Sequence, residues 1–300
     1  MNTQQIALIT YKSAGIYTDV SEEENSRLYD LLSQKGLNIT LEIWDDPAVD
    51  WSKYDVVVLK SPWDYFDKIT AFYAWLDKLE QLGVRVLNPT SIVRWNTDKR
   101  YLIELQEKGV SVVPSLWLEQ GAALNVDELF EKLQADKVIL KPAISGGAKN
   151  TFALTQAEAQ EQAASINNLL QQESFLAQPF VPEVQANGEW SFLFFNGEYS
   201  HTVLKTAKAG DFRVQHFFGG TVHTPEPPAH LLQTAHNIVD TYAQGCLYAR
   251  VDGVEVNGQL VLMELELIEP FLFMATNDGA FERYYEALLE QLQASATSIA

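Results

Sequence analysis

Acids fall where a buried strand should be apolar. The run Leu247-Tyr-Ala-Arg-Val-Asp252 is followed by Val261-Leu-Met-Glu264-Leu-Glu266-Leu-Ile-Glu-Pro270, and both read as strands lying side by side. Glu264 and Glu266 are two residues apart, so a strand points them to the same face. Neighbouring carboxylates repel, and burying them uncompensated is costly. A cation should hold them together. Mg²⁺ on a nucleotide phosphate suits the role, because it takes hard oxygen ligands from one or two carboxylates plus phosphates. Register decides whether Asp252 joins them. A two-residue Asn257-Gly258 turn alone would pair Asp252 with Met263, leaving Asp252 and Glu264 on opposite faces. A three-residue Asn257–Gln259 loop, or a bulge near Gly253, would set Asp252 opposite Glu264. The second arrangement is predicted.

A second stretch suits anions. Lys141-Pro-Ala-Ile-Ser145-Gly146-Gly147 places a compact ammonium at a strand end, before a turn whose glycines let backbone N–H groups approach closely. Such a turn also occurs on ordinary surfaces, so its meaning depends on the acids. Lys99 is read in the first turn of a helix, where a cation is unfavourable against the dipole unless an anion faces it. Other chemistries lose support. No G-x-G-x-x-G, G-x-x-x-x-G-K-[ST] or G-x-S-x-G motif occurs, and the five histidines show no metal-ligand spacing.

These residues need a scaffold. The first ~90 residues alternate strand and helix: Ile6–Thr10, a helix opened by Ser21 and Glu24 in capping-box spacing, Ile39–Trp44, Asp55–Leu59, a helix to about Leu82, and Val84–Leu87. That alternation predicts a parallel sheet with helices on both faces. Ligands of such sheets sit beyond the carboxyl ends of the strands. The loops holding Lys12 and Trp63-Asp64-Tyr65 qualify. From about residue 91 the pattern changes. Asn96-Thr97 is read as the cap of a helix from Asp98 to Lys108, followed by strands at Val110–Trp117, Lys137–Leu140, Thr151–Leu154 and Phe175–Val181. Asn196-Gly197 marks a hairpin between Glu189–Phe195 and Glu198–Lys205. A strand at Phe212–Phe217 and helices near 229–243 and from about Asp278 complete the reading.

The chain has 300 residues, 47% of them hydrophobic, which is ample for a core. Its formal net charge of -19 argues against nucleic acid as a partner. The single cysteine, Cys246, permits no intramolecular disulfide and reads as a buried core thiol, which suits a cytoplasmic chain. Neither a signal peptide nor an apolar run long enough to span a membrane is read.

Taken in order, Lys99, Lys141, Ser145-Gly-Gly147, Gln178-Pro-Phe-Val181, Asp252, Glu264 and Glu266 resemble the ATP-grasp superfamily, the group of glutathione synthetase and the ribosomal-protein glutamate ligases. Within it, Trp44-Asp-Asp46, Ser61-Pro-Trp-Asp-Tyr65, Arg94–Tyr101, Ala209–Val214 and Phe218-Gly-Gly220 are similar to a bacterial group that includes the cyclo-ligase of D-cycloserine biosynthesis. The resemblance implies an α/β chain. Residues 1–90 would form a Rossmann-like substrate domain. Residues 91–181 and 182–300 would form the two α+β subdomains of an ATP-grasp fold.

The implied activity is an ATP- and Mg²⁺-dependent, ADP-producing carboxylate–amine ligase acting through an acyl-phosphate. One or two Mg²⁺ ions are implied, with Mn²⁺ as an alternative, and a small carboxylate and amine as substrates. A homodimer is compatible with it, as is a thiol or hydroxyl acceptor. The contrasting reading is a non-catalytic ATP-binding module. The resemblance assigns Lys99 and Lys141 to ATP phosphates, and Ser145, Gly146 and Gly147 to a loop over them. Gln178, Phe180 and Val181 would border the adenine, and Glu183 would reach the ribose. Asp252, Glu264 and Glu266 would ligate the metal. Arg213 and Arg250 would stabilise the transferring phosphoryl group; Arg213 also reads as an ion-pair partner of Asp211. Lys12, Trp63, Asp64, Tyr65, His201 and Lys205 are candidate substrate contacts. Two departures stand out. Relatives usually have Asn where Glu266 stands, and Ser where Phe271 stands.

Overall fold

The computed structural model describes residues 3–12, 18–208 and 219–297. Arg213, His216 and the expected strand Phe212–Phe217 lie outside them.

The N-terminal unit contains β1 (Ile6–Thr10), α1 (Thr18–Gln34), β2 (Ile39–Ile43), β3 (Val56–Leu59), α2 (Ile69–Leu82) and β4 (Arg85–Leu87). Its four strands are all parallel, in the order β2-β1-β3-β4. Helices cover such a sheet on both faces, which is why β1 and β3 are continuous apolar runs. Helix α2 buries Phe72, Trp75, Leu76 and Leu79, spaced along one helical face, and stops at Gly83 in the left-handed region. Helix α1 starts at Thr18, ahead of the expected Ser21 cap. Glu24 is therefore interior to the helix and buried, where it meets Lys60 at 2.9 Å.

The central unit runs through α3 (Thr90–Asn96), α4 (Arg100–Glu107), β5 (Leu116–Leu118), α5 (Val126–Leu133), β6 (Lys137–Pro142), β7 (Phe152–Thr155), α6 (Gln156–Leu170) and β8 (Phe175–Pro179). Its antiparallel sheet has the order β5-β8-β6-β7. Two expectations fail here for local reasons. The strand expected over Val110–Trp117 shrinks to β5, because Pro114 has no N–H for a ladder. Asn96 and Thr97 do not cap α4. Asp98 accepts from the Arg100 N–H instead, at 2.8 Å, and the Asn96 amide is spent on a distant strand.

The last unit comprises α7 (Glu183–Asn187), β9 (Glu189–Phe195), β10 (Glu198–Thr206), β11 (Thr221–His223), α8 (Ala229–Tyr242), β12 (Tyr248–Val256), β13 (Gln259–Glu266) and α9 (Ala280–Thr297). Its sheet has the order β11-β10-β9-β12-β13. One face packs on α8, with Phe192, Phe194, Val251 and Leu265 in its core. The opposite face is divided. Leu193, Phe195, Val203, Tyr248 and Ile268 join the core of the N-terminal unit and α9, and the rest of that face carries charge. The N-terminal unit is thus not packed alone. Among the described residues no helix is long and apolar enough to cross a membrane.

The β12–β13 register matches the predicted arrangement. Asn257 (φ 52°) and Gly258 (φ 75°) form a two-residue turn, and Gly253 pairs with Leu262. The register then slips by one, leaving Met263 unpaired, and Asp252 faces Glu264 while Arg250 faces Glu266. Gly253 makes the slip feasible: a Cβ there would lie 2.9 Å from the Val261 carbonyl oxygen and 2.7 Å from Leu260 Cδ1. Gly253→Ala should push β13 away, lowering stability by about 1–3 kcal/mol and weakening nucleotide binding. Thermal melting and nucleotide titration check both effects. Cys246 is buried, and burial pushes its thiol up to about 12. It should resist alkylation at pH 8 in the native chain and react once unfolded, as mass spectrometry would read.

Candidate active site

The charged part of the divided sheet face is a row across four strands. Lys205 of β10 pairs in register with Glu189 of β9, Ser191 with Asp252 of β12, and Asp252 with Glu264 of β13. Alternation along each strand keeps Glu189 beside Ser191, Arg250 beside Asp252 and Glu266 beside Glu264 on this face.

Each of these acids meets a cation. Arg250 grips Asp252 with two bonds, at 3.0 and 2.8 Å, and also pairs with Glu266. Lys205 pairs with Glu189 and reaches Asp252 at 3.3 Å. Ser191 donates to Asp252 at 2.5 Å. Glu264 is met from the central unit, by Lys141 of β6 at 3.2 Å and by Lys99 at the start of α4 at 3.7 Å. Four carboxylates therefore face four cations, as desolvated charge requires.

The titration behaviour follows from this pairing. Burial would raise Glu264, but Lys141 and Lys99 outweigh it and hold the carboxyl at about 2. Burial also opposes Arg250 and Lys205 at Asp252, which still sits at about 2. At Glu266 burial prevails over Arg250, with repulsion from Asp252 and Glu264, and the carboxyl rises to about 7. Burial and repulsion by Glu266 push Glu269 up to about 8.

A cleft of about 310 Å³ lies above this row, between the β6/β8 sheet and β13. Lys99, Lys141, Ser145, Gly146 and Gly147 line one wall. Lys99 is fixed there by its backbone N–H, which donates to the Ala143 carbonyl at 2.8 Å, and its ammonium donates to the Ser145 carbonyl at 2.8 Å. The glycine turn leans on the N-terminal unit. A Cβ on Gly146 would lie 2.5 Å from the Phe66 ring, and Lys149 pairs with Asp67. Gln178, Phe180 and Val181 line the opposite end with Met263. The Gln178 side chain is buried and donates to Ser115 Oγ at 2.9 Å. Trp63, Tyr65, Lys205 and Arg250 also line the cleft.

The remaining candidates lie apart from the lining. Glu183 opens α7, and Lys12 is exposed after β1. Asp64 accepts from the Trp44 indole at 2.7 Å and pairs with Lys68 at 2.6 Å, a helix-entry arrangement. His201 lies under the 271–274 loop, bonded to the Leu272 carbonyl at 2.9 Å, and burial lowers it to about 4.

Several residues of the site carried no assignment in the sequence. Glu189 and Ser191 are polar positions on one face of an aromatic strand, a signal that strand alternation makes readable. Asn96 and Tyr101 serve the outer edge of β13. The Asn96 amide donates to the Leu265 carbonyl at 2.8 Å and accepts from the Leu267 N–H at 3.0 Å, and Tyr101 OH accepts from the Leu265 N–H at 2.9 Å. They pair backbone groups as a sixth strand would.

Among the described residues no three His, Cys, Asp or Glu side chains form a ready-made metal cage. The donor chemistry nevertheless fits Mg²⁺, which is normally held by one or two carboxylates with phosphate oxygens completing the shell. Asp252 and Glu264, opposed across the register slip, supply such carboxylates.

Comparison with known proteins identifies relatives of this chain. Residues 120–274 match the family described as prokaryotic glutathione synthetase, ATP-grasp domain. Residues 6–88 match the D-cycloserine synthetase DcsG N-terminal domain. The cycloserine biosynthesis protein DcsG of Streptomyces lavendulae is 30% identical over 280 residues, covering 86% of this chain and 91% of that protein. A crystal structure of D-cycloserine synthetase DcsG superposes with a TM-score of 0.80 at 26% identity, over 96% of this chain and 99% of that one. D-alanine–D-alanine ligase from Bacillus anthracis, complexed with ATP, shares the fold with a TM-score of 0.72 at 16% identity, over 99% and 100% of the two chains. The chain belongs to the ATP-grasp ligase family.

Proposed function

We propose that the chain is a carboxylate–amine ligase that uses ATP and Mg²⁺, acts through an acyl-phosphate and forms an amide or cyclic amide from a small amino-acid-like substrate. The observation that carries this reading is the meeting of Lys99 and Lys141 on Glu264, because it joins an anion-binding wall to a carboxylate row across one cleft. Phosphate oxygens compete with Glu264 for both lysines. Mg²⁺, when held by Asp252, Glu264 and Glu266, would neutralise the carboxylates in the lysines' place.

Roles for the other residues follow from their chemistry. Lys99 and Lys141 hold phosphate oxygens as point charges. Ser145, Gly146 and Gly147 cover them and exclude water that would hydrolyse an acyl-phosphate. Arg250 is bracketed by Asp252, Glu266 and the Phe271 carbonyl at 3.0 Å, so it is oriented before substrate arrives. A guanidinium so fixed stabilises charge developing on a transferring phosphoryl group without reorganising. Phe180, Val181 and Met263 supply apolar surface to the cleft beside Gln178, which suits a purine base. Protein groups position and neutralise, and none has to form a covalent bond. The names of the similar proteins, a D-cycloserine synthetase and a D-alanine–D-alanine ligase, support a small amino-acid-like substrate and an amide-type product. An ATP-consuming reaction, with one buried thiol, suits the cytoplasm.

ADP release with a panel of D- and L-amino acids, at saturating Mg·ATP, tests the reading. Turnover with at least one amino acid is expected. Lys141→Ala and Glu264→Gln should each lower kcat by about 100- to 1,000-fold, the cost of removing one electrostatic stabiliser, with the chain still folded by circular dichroism. Mg·ATP binding without ADP release across the panel would instead make this a nucleotide-binding module. Wild-type turnover in either variant would remove that residue from the phosphate and metal site.

A further inference from the structure

One carboxylate of the cleft stands apart from the paired row. Glu189, Asp252, Glu264 and Glu266 each form an ion pair. Glu269 also lines the cleft, yet no hydrogen bond or ion pair to its carboxylate exists among the described residues, and Lys99 and Arg250 act on it only across a distance. Its backbone is fixed at its own carbonyl and just beyond it. The Trp63 indole N–H donates to the Glu269 carbonyl at 2.7 Å. Pro270 follows, and the next carbonyl, of Phe271, is taken by Arg250 at 3.0 Å. The residue is therefore anchored at the cleft by neighbours that offer its carboxyl no cation, and burial favours the neutral form. Desolvating a carboxylate in this way is costly unless a cation arrives.

Aromatic groups share the cleft with it. Trp63, Tyr65, Phe66 and Phe271 also line the cleft, the Trp63 indole bonds the Glu269 backbone, and Phe271 meets Phe273 edge-on at 4.8 Å. Aromatic faces attract ammonium groups once these are desolvated, whereas Mg²⁺ keeps its water and seeks oxygen ligands. Only Leu267 and Ile268 separate Glu266 from Glu269, so their Cα atoms lie no more than about 11 Å apart. A compact molecule can therefore present its carboxylate beside Arg250 and Glu266 and its ammonium to Glu269.

The geometry points to Glu269 as the residue that takes the ammonium of a small free amino acid, with the Trp63 and Phe271 rings walling its site. This rests on the ligase reading for the identity of the activated carboxylate, while the ammonium site itself depends only on the cleft. It is a specificity residue: it holds the substrate's charged amine and discriminates against molecules that lack one.

Two measurements test it, on wild type, Glu269→Gln and Glu269→Asp with unchanged melting temperatures. The first is calorimetric binding of the D- and L-amino-acid panel to the full chain saturated with a non-hydrolysable ATP analogue and Mg²⁺. The second is ADP release with each amino acid that binds and with its des-amino counterpart. Wild type should prefer the amino acid, and Glu269→Gln should weaken its binding and raise its KM by about 10- to 100-fold, the cost of losing a charged hydrogen bond. In that variant kcat should fall much less, the preference over the des-amino compound should collapse, and Glu269→Asp should restore part of it. No amino-acid binding to wild type, or an unchanged preference in Glu269→Gln, overturns the assignment. So does an effect confined to the Mg²⁺ requirement, which would make Glu269 a metal ligand. Binding lost in Glu269→Gln but without ADP release from wild type would uphold the ammonium site and sink the ligase reading.

Discussion

Asp252 faces Glu264 only because one residue, Met263, is left unpaired between β12 and β13. Side chains alternate with period two, so without that slip every acid of β13 would point to the α8 core. Gly253 permits the slip by removing the only atom that would strike the Val261 carbonyl. All further chemistry of the cleft is referred to this register. It aligns Lys205, Glu189, Asp252 and Glu264 in one row and sets Arg250 between Asp252 and Glu266. The row is stable without ligand because each carboxylate meets a cation. Its outermost acid, Glu264, is met from the central unit, by Lys141 of β6 and by Lys99 at the start of α4.

The outer edge of β13 explains how that unit is kept in place. An edge strand exposes unpaired N–H and C=O groups, which seek partners. Here Asn96 and Tyr101 supply them, and Asn88 does the same further along, donating to the Leu267 and Tyr248 carbonyls at 2.8 and 2.9 Å. Lys99 stands between Asn96 and Tyr101. Two residues that satisfy the edge of the acid-bearing strand thereby fix the lysine that answers its acids. One set of hydrogen bonds serves both fold and site.

Much of this was legible in the sequence, for identifiable reasons. The strand pair with its acids, the hairpin at Asn196-Gly197 and the parallel N-terminal sheet follow from period-two alternation, turn chemistry and continuous apolar runs. The offset of Asp252 against Glu264 followed from requiring the acids to share a face. What stayed hidden depends on distant partners. Asn96 and Thr97 look like helix caps, because that is the commonest use of such residues, and nothing local reveals a strand 169 residues away. Glu24 reads as a capping acid on an exposed first turn, but the helix begins earlier and turns it inward. Pro114 lies inside the apolar run Val110–Trp117, and its missing N–H leaves only Leu116–Leu118 as strand. Asp64 and His201 were placed near a site by sequence position, and their bonds to Trp44 and Leu272 belong to packing.

The buried Glu24 shows why the N-terminal unit shares a core with the last sheet. Its carboxylate takes Lys60 at 2.9 Å and also accepts from the Leu272 and Met274 N–H groups at 3.1 and 2.9 Å. Those donors belong to the loop after Pro270, and the same loop presents the Phe271 carbonyl to Arg250. A charge on α1 and a lysine at the end of β3 therefore hold the segment that orients the arginine of the cleft. Breaking a buried pair of this kind leaves an uncompensated charge and costs far more than a surface pair, so the linkage is stiff. Trp63 adds a second tie through the Glu269 carbonyl, and Phe66 a third against Gly146. The loops beyond the parallel strands thus reach Arg250, Glu269 and the glycine turn together. The unit whose loops line the aromatic end of the cleft also fixes the geometry of its charged end.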